Sequence, residues 1–491
     1  MSLSLALNVA NGGLVTSGQQ SSIAARNISS SSQTDASRKI ANLATTPSGG
    51  VRVVSISRAS DDGLLEGLLA ARSGAGTANS ISTALATLAQ PISDTQNAQA
   101  PTNLLATFTS SLQLYATSPQ DTAVANAAIQ SGKDLAAGLN SASQQVDTVR
   151  QTADTNTANA VTTLNGLLGQ FKSVNDLIVN GTGRGQDVSD QQDQRDGLLK
   201  QISDIIGVHA SVRNNNDMML QTDSGVMLFD TTPRSVTFQP TPNITQGQLS
   251  NPVYVDGVPV TSQSGGMPVS SGSIAGNAQI ENVIAPAYGR QLDQMALGLI
   301  SNFSESDQSA TPTLPAVPGL FTAAGLTSVP AITAAPAGLA GAIVVNSNAD
   351  PAKGGNPNLL RDGGIGAPGN PAYLYNTTGA SGFSGRLQSL LTALSNPQSF
   401  DPSTNLDSKT TLSNYMAQSA SWLQAKNQSA TSDTQYKSIL ANQAATSLSN
   451  ATGVNIDQEV TNMLNIERSY QASAKVLNVV NQMLTNLLQT I

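Results

Sequence analysis

The chain has 491 residues and a net charge of −8, with 11% charged residues, 17 aromatics (8 Phe, 8 Tyr, 1 Trp), one histidine and no cysteine. That length is enough for roughly three domains. The missing cysteine excludes disulfides, thiolate metal sites and cysteine nucleophiles, and the lack of any Lys/Arg run argues against nucleic acid or an anionic membrane as partner.

Taken in chain order, the first element is an amphipathic helix over 1–28. Leu7, Leu14, Ser21 and Ile28 fall seven apart, and Leu3, Ala10, Ser17 and Ala24 form an interleaved row. A heptad spacing keeps one seam facing a partner helix, so this end reads as coiled-coil-forming. It is not a cleaved signal peptide: the first basic residue is Arg26, and Ser4, Asn8, Asn11, Gly12 and Gly13 interrupt the apolar run. No stretch approaches the ~18 apolar residues of a membrane span.

Residues 30–62 are rich in Ser and Thr and read as an extended connector, with a turn at Pro47, Gly49 and Gly50 before the apolar run Val51–Ile56. Helices follow over about 64–90, ended by Pro91, and over 101–117, ended near Pro119. A long helix is predicted over about 121–180. There Leu139, Val146, Ala153, Ala160, Leu167 and Val174 keep heptad spacing until Gly181, Gly183 and Gly185 break it.

Near 208 the period changes to that of strands. His209–Val212, Met218–Leu220 and Val226–Phe229 are strand candidates, with a turn at Asp223–Gly225. Val253–Val260 is a hairpin in which Asp256-Gly257 suits a two-residue type I′ turn, and Pro259 puts its second arm at a sheet edge. Helix returns over about 277–305. Residues 307–382, dense in Pro and Gly, form an irregular insertion with one strand at Ile343–Val345. Helix then dominates from Phe383 onward.

The final segment repeats the pattern of the first. Met463, Tyr470, Leu477, Leu484 and Ile491 fall seven apart, with Val460, Ala474 and Leu488 on a companion row broken by Glu467 and Asn481. Each stripe must be covered by the other terminus or by another subunit, and the ends can order as that happens. The fold class is therefore mainly α with β-rich insertions, in nested discontinuous domains. These are a terminal coiled-coil domain (1–45 with 453–491), a helical domain (46–207, 277–306 and 383–452), a β-rich insertion (208–276) and a Pro/Gly-rich, partly β insertion (307–382).

No catalytic set emerges. His209 has no acidic residue within four positions and reads as structural. There is no G-x-S-x-G elbow, P-loop or dinucleotide fingerprint. Asp187, Asp190, Asp193 and Asp196 could suggest a hard cation. A three-residue step, however, drifts about 60° per repeat around a helix, so they splay instead of converging, and the favourable field of a helix start accounts for them. Glu467 reads as a register-setting residue, and Tyr470 and Trp422 as packing anchors. No cofactor or metal is expected.

Several motifs are nevertheless familiar. Gly453–Glu459, Asn462-Met463, Tyr470–Leu477 and Met483–Leu488 resemble the C-terminal motif of flagellar rod, hook and hook-associated proteins. Gly13-Leu14 and Asn27-Ile28, with Ser37-Arg38 ten residues on, resemble their N-terminal motif. Asp193-Gln194-Arg195-Asp196-Gly-Leu-Leu199 with Ile205–Val208, and Asn356–Gly364, are similar to segments of FlgK-type hook-associated proteins. Two departures from the pattern stand out: Thr34, Asp35 and Ala36 replace the family's Pro-Gly-Tyr turn, and Glu467 stands where Gln is usual.

The resemblance implies a structural, non-enzymatic protein exported through the flagellar type III apparatus and assembled as a ring between hook and filament. Its implied partners are further copies of itself, hook protein, a second hook-associated junction protein and a FlgN-like cytoplasmic chaperone. It also implies an assembly seam, Leu7, Leu14 and Ile28 with Val460, Met463, Tyr470, Leu477, Leu484 and Leu488. The alternatives are another axial component, from hook or distal rod, or a surface adhesin.

Overall fold

The computed structural model describes residues 3–33, 35–47, 49–90, 98–262 and 266–489. Thr34, Pro91 and Ile491, which the sequence singled out, lie outside them. The architecture is mainly α with small β-sheets.

Helix α1 (Leu3–Ser30) leads into a hairpin, β1 (Lys39–Thr45) and β2 (Val51–Arg58). The composition of this segment reads as an extended connector. The strands instead pair antiparallel, Lys39 opposite Arg58 and Thr45 opposite Val51, with a bulge at Asn42/Leu43. The Thr46 N–H donates to Gly50 O at 2.7 Å and closes the turn.

Three helices follow: α2 (Asp62–Ala89), α3 (Pro101–Thr117) and α4 (Thr122–Gly183). Asp61 caps α2 by accepting from Leu64 N, and Pro101 opens α3 at a position where no backbone donor is needed. Helix α4 is one unbroken element of 62 residues, capped by Asp121, which accepts from Ala123 N and Val124 N. The heptad positions Leu139, Val146, Ala153, Leu167 and Val174 are all buried. Two apolar cores form along its length. One gathers Ala125 to Ala153 of α4 around Phe108, Phe303 and Phe321, whose rings meet at 5.2–5.5 Å. The other gathers Val161 to Ile178 around Phe229, whose ring lies 5.0 Å from Phe171.

After α5 (Ser189–Ile205) come β3 (Val208–Val212), β4 (Met218–Thr222), β5 (Met227–Asp230) and β6 (Thr232–Pro233), an antiparallel sheet in sequence order. A second sheet joins β7 (Val236–Thr237), β8 (Tyr254–Val255) and β9 (Val258–Pro259). Asp256 and Gly257 have φ of 47° and 81°, as the type I′ turn requires, and Pro259 sits on the edge strand.

Helix α6 (Ser273–Gln279) continues through a π turn at Ile280–Ile284 into α7 (Ala285–Asn302). The irregular insertion holds β10 (Phe321–Ala323), α8 (Leu339–Ala342), β11 (Ile343–Val345) and α9 (Leu359–Asp362), with β10 and β11 paired. Then come α10 (Gly385–Ser395), β12 (Gln398–Ser399) paired with β13 (Lys409–Thr410), α11 (Leu412–Thr452) and α12 (Ile456–Gln489). Helix α11 lies along α2, and α12 returns along α1. The two ends thus pair as helices side by side.

Candidate functional site

Helices α1 and α12 run antiparallel: Gly13 faces Ser473, and Ala24 shares a cleft with Glu459 and Ile466. They approach closely because the contact is built from small side chains. A Cβ on Gly13 would come within 2.6 Å of Ser473 Oγ. On α1 the buried positions are Ala10, Thr16, Ser17, Ile23, Ala24 and Asn27, while Leu7, Leu14 and Ile28 are half-buried.

On α12 the shielded row is Glu459, Met463, Ile466, Ser473, Leu477, Val480 and Leu484, of which Glu459 and Val480 are fully buried. Alternating steps of three and four through those positions are coiled-coil geometry. Val460 and Leu488 fall one residue off this row and are exposed, Leu488 by 75%; Tyr470 is on the row yet half exposed. Glu467 is also exposed and accepts from Gln471 Nε2. Leu464, Val476, Val479 and Met483 are exposed as well, on the two flanks of the shielded row.

Where α1 ends, Asn27 turns inward. Its amide donates to Lys39 O at 2.9 Å and accepts from Lys39 N at 2.8 Å, clasping the first residue of β1. Thr16 Oγ1 donates to Val51 O, tying β2 to the same helix. The hairpin then presents Lys39 and Arg58, and α1 presents Arg26, to the run of four aspartates at the start of α5.

Arg26 pairs with Asp187 and Asp190 at 2.8 and 2.7 Å. Lys39 pairs with Asp190 at 3.6 Å and, closer still, with Asp193. Arg58 pairs with Asp193 and Asp196 at 3.0 and 2.6 Å. The sequence reading, in which these carboxylates only answer a helix start, is corrected here: Asp190 alone lies in the first turn of α5. They do splay around the helix, and three cations from three elements follow the same arc. Among the described residues no group of three or more His, Asp or Glu is placed to hold a metal ion.

Burial and charge act differently along this ladder. For Asp193 burial favours the neutral acid, but hydrogen bonds from Lys39 and Ser37 and the Lys39 charge outweigh it, holding the carboxyl below its usual range. For Asp187 burial is likewise outweighed, by Ser189 and Arg26. Asp196 goes the other way: its burial exceeds the pull of Arg58 and Arg195, and its pKa rises. Arg195 is buried, donates to Asn175 Oδ1 and Asn216 O, and is pulled down to about 10 by that burial. It joins α5 to α4 and the first sheet, whereas Gln194 points to solvent.

The Asn356–Gly364 motif serves the irregular insertion. Arg361 donates to Pro119 O and Ser381 O, and Tyr115 Oη donates to Asn358 Oδ1 at 3.4 Å. His209 lies exposed on β3 with Nδ1 3.1 Å from Glu66 Oε1, a surface pair that sequence distance hid. Trp422 packs at the edge of the first core beneath Lys426. No helix among the described residues is long and apolar enough to cross a membrane.

Residues 102–312, from α3 through α7, match the family described as flagellar hook-associated protein FlgK helical domain. Residues 447–490, the end of α11 with α12, match the flagellar basal body rod FlgEFG protein C-terminal family. The chain thus carries a segment similar to the FlgK helical domain and a segment similar to the rod-type C-terminal family. None of the curated proteins matches it. Among solved structures, the flagellar hook junction protein FlgK from Burkholderia pseudomallei is similar at 20% identity with a TM-score of 0.42, over 52% of this chain. The chain spans about half of that protein, 46% of its length.

Proposed function

We propose that this chain is a structural component of the bacterial flagellum that forms the junction between hook and filament, polymerising as a ring through its terminal helices. The observation that carries the reading is the double-sided character of α12. One face is shielded by α1, while apolar residues on its flanks, among them Val460, Leu464, Val476, Met483 and Leu488, remain exposed on a segment that matches the rod-type C-terminal family. Burying each large apolar side chain contributes roughly 1.5–3 kcal/mol, so neighbouring subunits that cover these flanks gain substantially.

On this reading the assembly seam comprises Leu7, Leu14, Ile28, Met463, Leu477 and Leu484 within the pair, and Val460, Tyr470 and Leu488 toward neighbours. The partners are other copies, hook protein below, a second junction protein above and a FlgN-like chaperone before export. The chain leaves the cell through the flagellar type III apparatus, and it is not an enzyme. The terminal pair forms the axial domain, the α2–α7, α10 and α11 helices a surrounding layer, and residues 208–276 and 307–382 face outward.

The test is a deletion strain, viewed by electron microscopy with an immunoblot for flagellin in the medium. Bare hooks with shed flagellin support the junction role. Missing hooks move the protein to rod or hook, and intact swimming cells overturn the reading.

A further inference from the structure

Between β7 and β8, residues 239–252 cross α4 and the π turn without an ionisable side chain, and they stay outside both apolar cores. What holds this strap is polar and converges on one buried cluster. Arg150 of α4, fully buried, donates to Thr245 O at 2.9 Å and to Gln248 O, and its Nε donates to Glu281 O at 2.9 Å. Asp154, about a turn further along α4 and equally buried, accepts from Thr241 N at 3.1 Å. Ser250 N donates to Asn282 Oδ1 at 2.9 Å. The strap separates two cavities, about 510 Å³ beside Gln144 and Thr245 and about 210 Å³ beside Gln248 and Arg290. Its tip meets the Pro/Gly-rich segment, where a Cβ on Gly247 would come within 2.9 Å of the Ala337 Cβ.

Glu281 lies beneath the strap, 2% exposed, and the two hydroxyls that reach its carboxyl are both shared. Thr157 Oγ1 is 3.3 Å from Glu281 Oε1 but also donates to Ala153 O at 3.0 Å. The Ser250 hydroxyl of the strap, its other partner, also donates to Asn282 Oδ1 at 3.1 Å. A hydroxyl has one proton to give, so an ionised Glu281 is poorly served, whereas a protonated one donates to either oxygen. Asp154 has a backbone N–H to itself and is the carboxylate that answers Arg150. One guanidinium cannot balance both acids, and Asp147 beside Arg150 adds a third. Of the other neighbours, α6 carries no charged residue. On α7, Tyr288 lies in the first core, Arg290 is exposed, and Asp293 accepts from Gly338 N and Ala340 N. A buried charge left without a partner is strongly unfavourable, and lifting the strap lets water reach it. We propose that residues 239–252 are a proton-held strap: a proton on Glu281 keeps the strap seated across α4 and the π turn, and loss of that proton frees it from both and from the Pro/Gly-rich segment.

The test is amide hydrogen exchange on the purified full chain, read by mass spectrometry on peptides from 239–252 and on peptides of α4 around the buried Leu135 and Leu139. Rates are compared across the acid-to-neutral range after division by the intrinsic pH dependence of exchange. The strap opens more readily than α4 at every pH, since local openings cost less than global ones. The seated state holds the Glu281 proton up to about pH 7, and the open state releases it in the ordinary carboxylate range. Strap opening therefore becomes up to about tenfold easier per pH unit between those limits and levels off above them. Glu281→Gln keeps a neutral donor in place, so it removes the slope and leaves the strap seated at neutral pH. A strap that opens independently of pH overturns the proposal, as does a slope that persists undiminished in Glu281→Gln. Exchange of the strap at the same rate as α4 also overturns it, because only global unfolding would then expose Glu281. If Glu281→Gln does not fold, the pH series on the native chain decides alone: a flat strap beside a pH-sensitive α4 sinks the proposal. The flagellar phenotype does not enter the measurement, so failure here leaves the junction role untouched.

Discussion

The Asn27 side chain makes both backbone hydrogen bonds that Lys39 would otherwise have made to a neighbouring strand. The result is that the last turn of α1 and the first residue of β1 are one unit. Asn27→Ala leaves a buried N–H and a buried C=O unpaired, at a cost of roughly 1–3 kcal/mol. Chemical denaturation of the purified chain should show that loss. Asn27→Asp should fall between, because a carboxylate accepts from the N–H and cannot donate to the carbonyl.

The inner ladder sets a second expectation. Lys39→Met leaves Asp193 buried with one cation fewer and should destabilise by about 3–5 kcal/mol. Replacing Lys39 and Asp193 together by Met and Leu should cost much less, and the difference measured in a double-mutant cycle is the coupling.

Acid should act on neighbouring rungs with opposite sign. Asp193 and Asp187 are depressed, so their contribution is present above the ordinary carboxylate range and is lost as pH falls through their lower folded values. Asp196 is raised, so its ionisation opposes folding as pH climbs through its higher value. Carboxyl chemical shifts followed by NMR should show Asp196 protonating before Asp193 on acidification.

Away from the ladder, Glu281 sits buried in the π turn, against Asp154, Thr157 and Arg150 on α4. Burial, with Asp154 adding to it, pushes its pKa up to about 7 against the hydrogen bonds from Ser250 and Thr157 and the Arg150 charge. Its folded pKa is raised, so stability should fall as pH rises from the ordinary carboxylate range to about 7, by on the order of 3 kcal/mol. Glu281→Gln should flatten that part of the pH–stability curve.

The shielded and exposed faces of α12 can be separated by mutation. Leu488→Asp lies on an exposed flank and should leave the melting temperature within about a degree or two while blocking incorporation into filaments. Leu477→Asp lies against α1 and should lower the melting temperature and block incorporation as well. Equal incorporation by Leu488→Asp and the native chain would show that the exposed flank is not what assembles.

Much of the fold could be read from spacing. The heptads of α4, the Asp256-Gly257 turn and the 343–345 strand all follow from local rules, and each lies where those rules put it. The shielded row of α12 was harder, because it runs through Glu459 and Ser473, which an apolar pattern skips in favour of Val460 and Ala474 beside them. The ladder was harder still. Its aspartates are four marks on one helix, but their meaning lies in Arg26, Lys39 and Arg58, more than 100 residues away on other elements. The angular argument against convergence assumed a single point of focus, whereas the partners are strung along an arc. Asn27 belonged to a recognisable motif, yet nothing local reveals that its amide stands in for a strand.

Helix α4 is about 93 Å long at 1.5 Å per residue, and both apolar cores are built on it. A shaft shared in this way leaves the two cores no independent rotation: twisting one carries the other. Arg195, held between Asn175 of α4 and the sheet, connects this shaft to the helix that bears the four aspartates. A load that enters through those aspartates therefore reaches both cores along one continuous helix, which carries torque as a beam does.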